Sequence, residues 1–283
     1  MTGSPTVRQR ELAKRLRELR KQQGLTVEAV ADKLLCSTTK ISRLETGVRR
    51  PSLREVRDLC ALYDADGSTT AGLMSLARGA REPVWWTQYE DLNLDPYLGL
   101  EQEAAAITSF TTYYVPALLQ TEEYTRAVIK VIAPRMDPEI FEQRVEVRMH
   151  RQHVLEEENR PRYRVLLDEA VLYRVVGGPA IMTAQLDKIL EAERDSRVEI
   201  QLIPFHAGLH AAQDSNFVLL EFDEELHISP IVFIEGLTAN QYLERKGDVA
   251  RYRETIDYLR ESALGPPESV QRIIEQRESC ANL

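Results

Sequence analysis

Apolar side chains recur every three to four positions through the first eighty residues, then give way to a mixture of that spacing with short β-branched runs. Over 7–23, Leu12, Leu16 and Leu19 form one helical stripe and Arg10, Lys14, Arg17 and Lys21 another. The spacing predicts a helix that packs on one side and is solvated and basic on the other. Gly24 ends it, and Thr26 caps a second helix reaching about residue 34, with Val30, Ala31 and Leu34 inward. Ser37 then caps a third, short helix closed by Gly47. In that helix Ile41 and Leu44 turn inward, while Thr38, Thr39, Ser42, Arg43 and Thr46 gather on the opposite arc. Ser52-Leu53-Arg54-Glu55 has the form of a capping box and opens a fourth helix with Val56, Leu59 and Tyr63 on one face. A fifth over about 70–78 closes an all-α five-helix domain spanning 1–80.

The pattern changes at Gly79-Ala80-Arg81-Glu82-Pro83, a short junction leading into a second domain over 84–283. There Ile107, Phe110, Tyr113, Tyr114 and Val115 form a β-branched and aromatic strand segment stopped by Pro116. Helical periodicity returns over 122–131 and 138–155. A strand is expected over 162–167, a helix over 180–192, and strands over 198–203, 216–221 and 231–235. Helices over 248–263 and 268–278 follow. Alternation of the two periods is partial and leaves the strand order open. The expected fold is multidomain: the helical domain, then an α+β domain with one moderate sheet covered by helices.

Charge separates the two regions more sharply than periodicity does. The chain of 283 residues carries 36 Lys/Arg against 45 Asp/Glu, a net −9 that by itself argues against nucleic acid. Residues 1–80, however, hold 15 Lys/Arg and 9 Asp/Glu, a net +6, leaving −15 for the remainder. A basic reader attached to an acidic body is expected, with the body turned away from phosphates or toward a partner. Cys36, Cys60 and Cys280 stand far apart with no paired spacing, unlike a disulfide framework or a zinc site. They are expected in a reducing, cytoplasmic protein, with Cys36 and Cys60 as core residues. No run of 18 apolar residues occurs and the N-terminus lacks an apolar leader, so neither membrane spanning nor export is indicated.

The hydroxyl-and-Arg arc of the third helix suits a DNA major groove. Gly24-Leu25-Thr26, the short second helix, residues 37–47 and Arg49-Arg50-Pro51-Ser52-Leu53 together resemble the helix-turn-helix domain of the Cro and phage-repressor (XRE-type) family over about 8–64. The resemblance implies that Thr38, Thr39 and Arg43 read bases, with Ser42 beside them; Arg43 is the sharpest, since Arg can donate twice to guanine. It assigns Lys40, Thr46, Arg49 and Arg50 to phosphates. It also implies a structural ion pair between Arg20 and Glu45. Two positions depart from the family pattern. Val27 stands where a Gln usually braces a phosphate, and Leu35 replaces the turn glycine, which argues against a left-handed residue there.

Val115-Pro116-Ala117-Leu118-Leu119-Gln120-Thr121-Glu122-Glu123-Tyr124, Arg148 to Gln152, Leu167 to Leu172, Gly177-Gly178-Pro179 and Ile203-Pro204-Phe205 resemble the uncharacterised C-terminal domain of actinobacterial helix-turn-helix regulators described as antitoxin-like or developmental. By that resemblance a small companion protein encoded nearby is a partner. No catalytic constellation assembles from the residues, and no cofactor is indicated. His206 and His210 are four apart but flank a loop-like Ala-Gly-Leu, so no metal site is expected; His150 and His153 read as a solvated helix face. Trp85, Trp86, Tyr89 and Tyr97 form the densest aromatic group, a candidate ligand or partner surface that equally suits core packing. The expected function is a non-enzymatic transcriptional regulator that binds a pseudo-palindromic operator on double-stranded DNA as a homodimer. Its acidic domain dimerises and receives a companion protein or an effector of unknown identity. The alternative is an enzyme that the helix-turn-helix merely targets to DNA.

Overall fold

The computed structural model of the chain describes residues 4–92, 95–158, 160–213, 215–226 and 228–283. The chain forms two compact units, Met1–Glu103 with Asp223–Ile228, and Ala104–Phe222 with Ser229–Leu283. The first unit thus extends past the composition shift at 79–83.

Five helices open the first unit: α1 (Pro5–Gln22), α2 (Val27–Lys33), α3 (Thr38–Glu45), α4 (Leu53–Leu62) and α5 (Gly67–Gly79). Each begins on a side chain that satisfies an otherwise unpaired amide of its first turn: Ser4, Thr26, Ser37, Ser52 and Asp66 accept from Val7, Ala29, Lys40, Glu55 and Thr69. Leu12, Leu16, Val30, Ile41, Leu44, Val56, Leu59, Cys60, Leu73 and Leu76 fill one shared core. Val27 is half-buried against that core. Two 3-10 turns over Trp85–Leu92, kinked at Tyr89, and α6 (Asp95–Gln102) complete the unit. On α6, Gly99 lies so close to α1 that an added Cβ would stand 2.5 Å from the Thr6 hydroxyl, and its carbonyl accepts from Ser4 Oγ at 2.7 Å.

The first four helices all stop on a left-handed residue: Gly24, Leu35, Gly47 and Asp64. Leu35, expected to avoid that conformation, has φ 50°. The reason is local. Its amide donates to Asp32 O and the next amide, of Cys36, to Ala31 O, the paired bonds that close a helix end when one residue turns left-handed. The turn geometry therefore survives the loss of glycine.

In the second unit six strands make one sheet in the order β3-β2-β1-β4-β5-β6. They are β1 (Ala106–Thr111), β2 (Arg162–Asp168), β3 (Val198–Ile203), β4 (Phe217–Glu221), β5 (Ile231–Ile234) and β6 (Gln241–Leu243). β1, β2 and β3 run parallel, whereas β4, β5 and β6 pair antiparallel in a meander on the other side of β1. The parallel half needs helical crossovers. α7 (Glu122–Ile132) and α8 (Pro138–His150) bridge β1 to β2; α9 (Ala170–Tyr173) and α10 (Pro179–Glu193) bridge β2 to β3. α11 (Lys246–Ser262) supplies Val249, Ile256 and Leu259 to a core with Phe110, Leu166, Ile203, Phe217, Leu219 and Val232. Tyr163, Val165, Leu167, Ile200 and Leu202 alternate with these on the opposite face and are equally buried. α12 (Pro266–Ala281) packs on α10 and β3. This is the expected sheet-and-helix domain, with its parallel half resolved.

Polar side chains pin the segment that follows β1. Buried Gln120 donates to Val115 O at 2.5 Å and accepts from Thr125 Oγ1 at 2.9 Å, while Gln185 donates to Leu119 O at 2.6 Å. Gln152 donates to the carbonyls of Ala117 and Gln120. The Tyr124 hydroxyl accepts from the Val115 amide, and burial pushes that phenol up to about 12.

Candidate nucleic-acid interface

Helix α3 is held from behind and open in front. Ile41, Leu44 and Glu45 are buried. Arg20 of α1 grips Glu45 with two parallel bonds, Nε to Oε1 at 2.6 Å and Nη2 to Oε2 at 2.9 Å, and its third nitrogen donates to Leu25 O at 2.6 Å. The bond to Glu45 raises the Arg20 pKa against the opposing pull of burial. The expected ion pair thus ties the first helix, the turn after it and the last residue of α3 into one rigid joint.

On the outer face Thr38, Thr39, Ser42 and Arg43 are exposed. The Arg43 side chain has neither a hydrogen bond nor an ion pair with any described residue, so its guanidinium is free to be placed by a ligand. The four residues expected at phosphates differ from it in being held. Lys40 Nζ lies 2.6 Å and Arg49 Nη2 3.0 Å from Glu55 Oε1. Arg50 Nε donates to Gln9 Oε1 at 3.1 Å, and Gln9 in turn donates to Gly47 O at 2.6 Å. Thr46 Oγ1 donates to Ser42 O at 2.9 Å.

Two organising residues escaped the sequence reading. Glu55 was legible only as the far end of a capping box: one oxygen accepts from Ser52 N at 2.7 Å, and the other takes both cations. Burial alone would push the Glu55 carboxyl up; the bonds from Lys40 and Ser52 outweigh it and hold the group at about 2. Gln9 carried no signal at all, because its partners lie about forty residues downstream.

The remaining candidates have other surroundings. Trp86 and Tyr97 are buried, Trp85 and Tyr89 half-buried; Trp85 stands edge-on to Trp86 at 5.4 Å and to Tyr89 at 6.3 Å. His150 and His153 are exposed with rings 5.1 Å apart, and His153 meets Glu156 at 2.8 Å. His210 is buried against Phe110, with Nε2 3.4 Å from Asp168. Among the described residues no group of three potential metal ligands occurs, and no helix is long and apolar enough to cross a membrane.

Residues 11–73 match a family of helix-turn-helix domains (HTH_31), and residues 94–275 match a family described as a domain of unknown function (DUF5753). No curated protein and no solved structure matches the chain. The helix-turn-helix match supports a DNA-binding regulator, in agreement with the open face of α3. Since the second match takes in more than half of the sequence, the chain belongs to the DUF5753 family, here with a helix-turn-helix domain at its N-terminal side.

Proposed function

We propose that the protein is a sequence-specific transcriptional regulator of the XRE type, binding a pseudo-palindromic operator as a homodimer. The observation that carries this is the contrast between a partnerless Arg43 among exposed hydroxyls and the braced cations around it. A base reader gains from a side chain free to meet guanine O6 and N7; phosphate contacts gain from side chains already aimed. Thr38, Thr39 and Ser42 complete the reading face, and Lys40, Thr46, Arg49 and Arg50 fix its register.

In this reading the acidic second unit dimerises and binds a small companion protein, as its antitoxin-like resemblance suggests. It acts in the cytoplasm by binding rather than by turnover. Two-fold symmetry sets half-sites about 34 Å apart, one turn of DNA. Arg43→Ala should lose about 1–3 kcal/mol at one base-pair position while leaving nonspecific affinity nearly unchanged. Footprinting and competition against single-base operator variants measure both. Equal weakening on every sequence makes Arg43 a phosphate contact, and protection of one isolated half-site by a monomer removes the dimer.

A further inference from the structure

We propose that the second unit binds a phosphate-bearing small molecule through Arg144 and Arg148 of α8, beside the segment that leaves β1. The inference goes beyond the DNA-reading role and does not rest on it.

Most of the half-buried arginines described in this unit meet an acid, whereas several exposed ones stand in solvent without one. Arg126 pairs with Glu122 and Glu142, Arg160 with Asp195, Arg164 with Glu199, Arg272 with Glu169 and Arg277 with Asp187. Arg144 and Arg148 do not. Among the described residues neither has a carboxylate at ion-pair distance, although the unit is rich in acids. Arg148 Nη1 donates to the neutral amide oxygen of Gln120 at 3.2 Å, and Arg144 Nε is buried with no partner. Nearby Lys188 is in the same condition: its ammonium donates to Gln120 O at 2.8 Å and Gln152 Oε1 at 2.5 Å, both neutral.

Position adds a second, independent line. Arg144 and Arg148 are four residues apart and share one face of α8, which packs against the 3-10 turn Ala117–Leu119 after β1. Tyr114, three residues beyond β1, and Glu235, the residue after β5, both act electrostatically on Arg148. β5 runs parallel to β1, being antiparallel to β4 between them, so both segments leave the same edge of the sheet. That edge holds the carboxyl ends of the parallel strands, where open α/β sheets bind their ligands.

Arg148 is costly as it stands. Burial, then the neighbouring charges of Arg151 and Arg144, hold its pKa below the ordinary arginine value. Two half-buried guanidinium forks with unspent donors match a phosphate, which accepts several charge-assisted bonds at once and supplies the missing negative charge. Their half-buried setting favours a small molecule over a nucleic-acid backbone.

The test uses the full-length protein and pyrophosphate as the probe, at constant ionic strength with chloride as the control anion. Calorimetric titration and thermal unfolding should show saturable binding and a raised Tm. Arg49→Gln and Arg50→Gln should bind equally, which excludes the phosphate-contacting cations of the DNA face as the site. Arg144→Gln and Arg148→Gln should each weaken binding about tenfold or more, the loss expected of a hydrogen bond to a charged group. Neither should lower the Tm of the unliganded protein by more than the loss of one hydrogen bond, because each removes a half-buried cation with no carboxylate at ion-pair distance. The inference is overturned if pyrophosphate fails to bind at millimolar concentration, if Arg144→Gln binds as tightly as the wild type, or if both variants lose more Tm than that and so reveal structural arginines. Operator binding without pyrophosphate binding would remove this inference and leave the proposed regulator standing.

Discussion

Leu35 combines a left-handed backbone with a side chain that is 94 % exposed. The conformation costs a non-glycine residue roughly 1–2 kcal/mol, and no buried contact offsets that cost at so exposed a position. Leu35→Gly removes the strain but loosens the unfolded chain, a penalty of about 0.5–1 kcal/mol. The balance predicts a net gain of up to about 1 kcal/mol, read as a higher urea midpoint with unchanged slope. Leu35→Val should go the other way, since branching at Cβ tightens the same clash. A loss of stability in Leu35→Gly would mean that the leucine makes contacts which its exposure hides. Arg43 is the opposite case among exposed residues, because no described residue constrains its side chain and, in the proposed reading, its conformation is set on binding DNA.

Glu55 joins two elements, α4 through its cap and α3 through Lys40. Its carboxyl titrates at about 2 in the folded protein, below the ordinary carboxylate range. A depressed carboxylate stabilises the fold above its unfolded pKa, and that contribution fades as pH falls toward the folded value. The stability gap between wild type and Glu55→Gln should therefore hold steady above about pH 5, at no more than about 3 kcal/mol, and close toward pH 2. Urea midpoints across that range measure it, and a gap that stays constant with pH would show that the ion pairs contribute nothing. The same residue shows where sequence reading stops. Caps, turn glycines and apolar spacing are local, so α1 to α5 and the exposed face of α3 could be placed from neighbours a few positions apart. Lys40 and Glu55 meet across two helices, a distance that no periodicity encodes. β6 has three residues, too few for an alternation to register, and α6 starts beside residues with no strong apolar stripe. The Val165-Leu166-Leu167 run is buried on both faces of the sheet; such a run marks a central strand without naming its neighbours. Arg148 stood at the head of one of the resembling stretches, but its lack of a nearby acid, like that of Arg144, depends on how α8 packs against the segment after β1 and is not encoded locally.

Charge is distributed so that the whole chain is acidic while its first eighty residues are basic, and the two facts predict different salt behaviour. Nonspecific attraction between the intact protein and DNA should be weak for a molecule of net −9. The salt dependence of operator binding, in contrast, counts the phosphates that lose their counterions, at a slope of about −0.9 each. In the proposed reading Lys40, Arg49 and Arg50 supply three such cations in each chain. One reader should therefore give a log–log slope of about −3, and a homodimer engaging both half-sites about −5. Arg50→Ala, by removing one cation per chain, should flatten the dimer slope by about 2. Arg43→Ala should leave it unchanged, because a base contact releases few counterions. Fluorescence anisotropy of one operator fragment over a series of chloride concentrations distinguishes these cases. A slope near −3 that Arg50→Ala reduces by only about 1 establishes a single bound reader and sinks the two-fold arrangement, whatever the symmetry of the operator.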